Sequence, residues 1–113
     1  VTVTAKEAVF LQEVLAVIED HLGDSTFSVD WLADEVGISR RQLERRIQET
    51  ADRSPGELIR HLRIQRGTQL LRAHAGTVSE ISYMVGFRSP SHFSRVYRDL
   101  TGQAPSEVRA EPD

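Results

Sequence analysis

The chain has 113 residues, 39% of them hydrophobic, a formal net charge of -3 at pH 7 and no cysteine. That length carries one compact domain with a modest core, too small for a large enzyme cleft. The missing thiols exclude disulfides, thiolate metal sites and cysteine nucleophiles. No apolar run approaches the ~20 residues of a membrane span and no signal-peptide pattern opens the chain, so a cytoplasmic location is expected.

Apolar residues recur at intervals of three and four and no segment alternates like a strand, which predicts an all-α protein. The first helix is expected over about residues 4–22: Thr4-Ala5-Lys6-Glu7 is a capping box, Phe10, Leu11, Val14, Leu15, Ile18 and Leu22 form its apolar stripe, and Gly23 stops it. Ser28 caps a second helix over 29–36, ended by Gly37, and a third follows over about 39–51. Ser54-Pro55-Gly56-Glu57 combines an N-cap, a proline at the first helical position and a capping glutamate, and opens a long helix to about His74 with Gly67 as a weak spot. Thr77-Val78-Ser79-Glu80 is a further capping box. Gly86 ends that helix, the next starts near Ser89 and closes at Gly102, and Pro105 begins a last short turn.

Charge is segregated along the chain. From Val1 to Gly37 one basic residue faces eight acidic ones, a net -7, whereas from Ser39 to Arg98 twelve arginines face five acids, a net +7. Every base in that second stretch is arginine, the side chain suited to bidentate contacts with phosphate and guanine.

The chain also repeats itself. Leu32-Ala33-Asp34-Glu35-Val36-Gly37-Ile38-Ser39, followed by Leu43 and Ile47, parallels Ile81-Ser82-Tyr83-Met84-Val85-Gly86-Phe87, followed by Phe93 and Tyr97. The glycines stand 49 positions apart and the later anchors 50, so the second turn is one residue longer. Each copy reads as a short helix, a tight glycine turn and a second helix with two large apolar residues on its inward face: a helix-turn-helix. The outward face of the first copy carries Arg41, Glu44, Arg45 and Gln48, with Arg40 and Gln42 beside the helix start at Ser39. The second carries Ser91, His92, Ser94, Arg95 and Arg98 after a start at Ser89. These residue types read base edges and phosphates, and the two helix N-termini offer backbone N–H groups to phosphate. A lone turn of this kind would be weak evidence; two in matched register point to double-stranded DNA.

These residues resemble the AraC/XylS transcriptional regulators from about Phe10 to Arg109. The likeness is carried by Leu32-Ala33, Val36-Gly37, Ser39, Leu43 and Ser54-Pro55, then by Arg63, Leu70-Leu71, Ser79-Glu80-Ile81, Val85-Gly86-Phe87, Phe93-Ser94-Arg95, Gly102, Pro105-Ser106 and Arg109. The resemblance implies two homeodomain-like helix-turn-helix subdomains joined by a long central helix. In this chain it divides residues 1–53, a linking helix over 54–75, and 76–113, all within one DNA-binding domain. It implies base contacts from Arg41, Glu44 and Arg45 and from Ser91, His92 and Arg95, and activation through RNA polymerase. Ile47, Asp52, Gly67, Ser82 and Val108 depart from the family pattern at positions that concern packing and caps. A finer likeness covers Phe10-Leu11, Ile18-Glu19, the Phe27-to-Asp30 stretch, Ser39 to Leu43 and Ser89 to Phe93, and resembles the output domain of hybrid two-component regulators. A chain that starts at Val1 without methionine agrees with a sensor or receiver portion before it, through which a full-length protein would dimerise while the domain itself stays monomeric.

The mechanism implied is two readers on one chain. A linking helix of about twenty residues is ~30 Å long, close to the ~34 Å that separates successive major grooves on one face of DNA. The acidic first helix would then face away from the phosphates. Enzymatic function is not expected, since there is no Gly-rich phosphate loop and no nucleophile with a base beside it, and no metal or other cofactor is expected, since His21, His61, His74 and His92 lack ligand spacing. The competing expectation is a helical interaction module whose arginine faces meet an acidic protein.

Overall fold

The computed structural model describes residues 3–111, and among them the backbone forms seven α-helices: α1 (Ala5–His21), α2 (Val29–Val36), α3 (Arg40–Ala51), α4 (Pro55–Arg72), α5 (Val78–Met84), α6 (Pro90–Thr101) and α7 (Pro105–Ala110). The chain divides into two compact units. One holds the described residues up to His21 with Phe27–Ile59, the other holds Leu22–Thr26 with the chain from Arg60 onward, and α4 begins in the first and ends in the second.

The helix starts are set by side-chain caps. Thr4 Oγ1 accepts from the Glu7 N–H at 3.1 Å, Ser28 Oγ from Trp31 at 3.1 Å and Ser54 Oγ from Glu57 at 3.2 Å. Ser39 with Gln42 and Thr77 with Glu80 form reciprocal capping boxes, in which the longer side chain turns back to the N–H of the cap residue. Each arrangement satisfies donors that the first turn of a helix leaves without partners.

The first unit packs α1 against α2 and α3. Phe10, Val14 and Ile18 of α1, Leu32 and Ala33 of α2 and Leu43 and Ile47 of α3 are buried, with Leu43 and Ile47 fully enclosed. The stripe expected on the first helix is therefore narrower than its sequence suggested: Leu11 and Leu15 are only half-buried. The half-buried Arg46 lays its guanidinium 3.7 Å over the Phe10 ring, so this arginine is occupied with holding α3 to α1.

In the second unit Ile64, Leu71, Ile81, Val85, Phe87, Phe93, Val96, Tyr97 and Val108 make one apolar cluster. Phe93 stands between Phe87 and Tyr97, with ring centroids 5.3 and 5.6 Å away. The Tyr97 hydroxyl shares a hydrogen bond with Thr68 Oγ1 at 2.7 Å, and buried Ser82 donates to the Ser79 carbonyl at 2.6 Å. Departures from the family pattern thus find local reasons. A side chain on buried Gly67 would put its Cβ 3.1 Å from Phe93 Cε1, tighter than ordinary contact, so the ring fills the space a methyl would take. Asp52 sits at φ 54°, a left-handed cap position that aspartate tolerates.

One sequence expectation needs correction. The long helix ends at Arg72, not at about His74, because His74 turns left-handed at φ 53° and the Ala75 N–H reaches back to the Leu70 carbonyl. Arg63 is structural: Nε donates to the Leu22 carbonyl at 3.3 Å and a terminal nitrogen to the Asp24 carbonyl at 2.9 Å, and the charge of Asp24 also acts on its guanidinium. Burial draws its pKa below the ordinary arginine value.

The two glycine turns share one geometry. The Ile38 N–H bonds to the Ala33 carbonyl and the Gly37 N–H to Asp34; the same pair of bonds, reaching five and three positions back, runs from Phe87 to Ser82 and from Gly86 to Tyr83. Both glycines are left-handed, at φ 84° and 88°. The surroundings differ: a Cβ on Gly37 would meet open space, but one on Gly86 would run into the Leu22 carbonyl and the Arg63 guanidinium. Gly37→Ala should therefore cost about 1–2 kcal/mol from backbone strain alone, and Gly86→Ala measurably more, as read by thermal or denaturant melts; equal costs would contradict this packing.

The capping box of α5 makes an acid-sensitive contribution. Hydrogen bonds from the Thr77 N–H, then from the Thr77 side chain, and the more distant charge of Arg109 hold the Glu80 carboxyl below the usual glutamate range. Its stability contribution is full above that range and is lost as the pH falls through it toward the folded-state value. Melting temperatures followed from neutral to acid pH should decline less steeply for Glu80→Gln than for the parent chain.

Candidate nucleic-acid interface

The candidate interface comprises the faces of α3 and α6 that their apolar anchors leave outside. With Leu43 and Ile47 buried, helical periodicity turns Arg41, Glu44, Arg45 and Gln48 outward, and all four are exposed. With Phe93, Val96 and Tyr97 buried, Ser91, His92, Arg95 and Arg98 are exposed on α6, while Ser89 and Ser94 are half-buried.

Several of the residues singled out by sequence already have work inside the protein. Ser39 and Gln42, although exposed, form the α3 capping box, with Ser39 Oγ accepting from Gln42 at 3.1 Å and Gln42 Oε1 accepting from Ser39 at 3.2 Å. Ser89 Oγ caps α6 through the His92 N–H at 3.2 Å. Gln48 donates to Asp52 at 3.1 Å, and Arg45 stands 4.0 Å from Glu49, a pair too exposed to hold it firmly. Arg40 is the most committed: its Nε donates to Glu44 at 3.0 Å and its Nη1 to Asp30 of α2 at 3.3 Å, contacts that raise its pKa. Sequence spacing placed Arg40 beside the reader face but gave no sign of this bridge, because Asp30 lies ten positions away on another helix.

What remains uncommitted is cationic. Among the described residues Arg41, Arg88, Arg95 and Arg98 form no ion pair, and all four are exposed. Arg88 was not among the sequence candidates; it occupies the extra residue of the longer second turn, which is the signal that could have found it. At the α3 N-terminus the Arg40 and Arg41 N–H groups lie outside the capping box, whereas Pro90 removes one such donor from α6.

A short helix, a left-handed glycine turn and a second helix with an exposed cationic face, occurring once in each unit, define the chain as a double helix-turn-helix protein. Residues 32–111 match the model of the family described as "Helix-turn-helix domain". The chain is 33% identical to a transcriptional regulator from Chromobacterium violaceum, described as containing an AraC-type DNA-binding domain; the alignment covers 97% of this chain and 100% of that one, with a TM-score of 0.85. It is 31% identical to the DNA-binding domain of AdpA, a global transcriptional factor solved in complex with a target DNA, over 88% of this chain and 89% of that one, with a TM-score of 0.82. Among curated relatives, Histidine kinase P4 of Formosa agariphila is 31% identical over 96% of this chain, which spans only 8% of the kinase. The chain belongs to the helix-turn-helix family of AraC type.

The two neighbouring aromatic residues of α6 separate fold from surface. Phe93 is fully enclosed, and its replacement by alanine should destabilise the chain by about 3–5 kcal/mol. His92 is exposed, with its ring edge-on to Phe87 at 5.3 Å, so His92→Ala should cost no more than about 1 kcal/mol. Thermal melts of the two variants check this; comparable losses would place His92 in the core.

Proposed function

We propose that this chain is the sequence-specific DNA-binding domain of a transcription regulator, presenting α3 and α6 to successive major grooves of double-stranded DNA. The observation that supports it most directly is the paired construction: each unit fixes its second helix by the same glycine turn and leaves Arg41 and Arg45, or Arg95 and Arg98, facing out. In this reading Arg41, Glu44, Arg45, Ser91, His92 and Arg95 meet bases, and Ser39, Arg40, Gln42, Gln48, Ser89, Ser94 and Arg98 flank them or support the helix starts. The 54–75 segment links two readers in one domain, which binds as a monomer.

The chain spans 8% to 37% of the first curated relatives it matches, so the wider protein is likewise a matter of proposal. The likeness to a small part of a histidine kinase supports an output domain of a hybrid two-component regulator, acting in the cytoplasm and activating transcription through RNA polymerase. No helix among the described residues is long and apolar enough to cross a membrane. The domain performs no catalysis in this account.

Selection of bound sites from random DNA should return an asymmetric site with two short blocks about one helical turn apart; a palindrome would contradict the monomeric two-reader model. Arg45→Ala and Arg95→Ala should each weaken that site by ~1–3 kcal/mol and relax preference at particular bases, measured by titration of single-base variants. Affinity should fall linearly with salt on logarithmic axes, as phosphate contacts require. Binding to an acidic protein with no enrichment of any DNA would favour the interaction-module reading.

A further inference from the structure

The reader face of α3 contains an anomaly. Glu44 stands exposed between Arg41 and Arg45, with 52% of its side chain accessible, on the surface proposed to approach a polyanion. A carboxylate there has no favourable partner among phosphate oxygens, nor among the acceptor atoms that guanine and thymine display in the major groove. The only major-groove donors are the cytosine N4 and adenine N6 amino groups, and adenine sets its N7 acceptor beside N6, where it would repel a second carboxylate oxygen. On the cytosine ring the position beside N4 is C5–H, which is not an acceptor.

The carboxylate is also held in place. Arg40 Nε donates to Glu44 Oε1 at 3.0 Å, and Arg40 Nη1 is tied at 3.3 Å to Asp30 on α2. Two acids therefore share one guanidinium, which orients the Glu44 side chain through its first oxygen and leaves Oε2 for an outside donor. The same bridge offsets part of the charge that would otherwise repel phosphates, and it occupies Arg40, whose guanidinium is then not a counter-ion for DNA.

We propose that Glu44 is a specificity-determining residue that accepts a hydrogen bond from the N4 amino group of a cytosine, and that Arg40, anchored by Asp30, is the positioning residue that holds its carboxylate for that contact. The inference rests on the DNA-binding reading above and deepens it to one base of the site.

Site selection from random duplex DNA, run with the parent chain and with Glu44→Gln, Glu44→Ala and Arg40→Ala, tests it. The parent should show a cytosine preference of about tenfold at one position of the first block. Glu44→Gln should move that position toward adenine, because the amide can donate to N7 and accept from N6, and Glu44→Ala should erase the preference there while leaving the second block intact. Arg40→Ala should broaden the same position and leave the salt slope of binding unchanged, whereas Arg41→Ala should reduce that slope by about one if it grips a phosphate. Because all of these side chains are exposed, melts of each variant should match the parent closely. A selected site whose first block is identical for the parent and Glu44→Gln overturns this inference alone. Failure of the parent to enrich any sequence overturns the DNA-binding reading, and this inference with it.

Discussion

Everything the surface of this chain can do depends on where a left-handed glycine lets the chain turn. In each unit a short helix closes with a pair of overlapping backbone hydrogen bonds, Ile38 to Ala33 with Gly37 to Asp34, and Phe87 to Ser82 with Gly86 to Tyr83. That closure fixes the exit direction of the chain, and the residue after the glycine, Ile38 or Phe87, is apolar and returns to the unit it left. Two bulky anchors four positions apart on the next helix then complete the core. Once Leu43 and Ile47, or Phe93 and Tyr97, are enclosed, the rotation of the helix is settled and so is the set of side chains it shows to solvent.

The units satisfy this shared plan by different means. The first caps α3 with a reciprocal Ser39–Gln42 box, leaves Gly37 in open space and uses arginines for internal contacts: Arg46 over Phe10 and Arg40 between two acids. The second packs backbone against side chain more closely. Gly86 lies against Leu22 and Arg63, Gly67 makes room for the Phe93 ring, and Arg109 of α7 donates to the Gly76 carbonyl at 2.8 Å just ahead of α5. The longer turn between Gly86 and the α6 cap accommodates Arg88, and Pro90 stiffens the helix start at the expense of one N–H donor.

This construction separates arginines that hold from arginines that are available. Of the twelve between Ser39 and Arg98, Arg63 and Arg46 are half-buried against carbonyls and a ring, and Arg40 is shared by Asp30 and Glu44. A net charge of -3 for the whole chain conceals this, because the acids concentrate before Gly37 and the uncommitted cations lie on the exposed helices after it. The faces of α3 and α6 that carry these cations are the ones their own packing leaves outside.

The sequence by itself determined the helices, their caps and the repeat, since capping boxes, N-terminal prolines and terminal glycines act within a few residues of one another and need no distant partner. It also determined which faces of α3 and α6 turn outward, because the inward anchors follow the helical period. Only the tertiary structure decided what individual polar side chains do there. The Asp30–Arg40 bond, the Arg63 bonds to Leu22 and Asp24, the Arg46–Phe10 stack and the Gly67–Phe93 contact join residues distant along the chain, and no local pattern encodes such pairs. The early end of α4 belongs to the same class: His74 has no glycine's freedom, and it adopts a left-handed backbone because the bond from Ala75 to Leu70 closes the helix there.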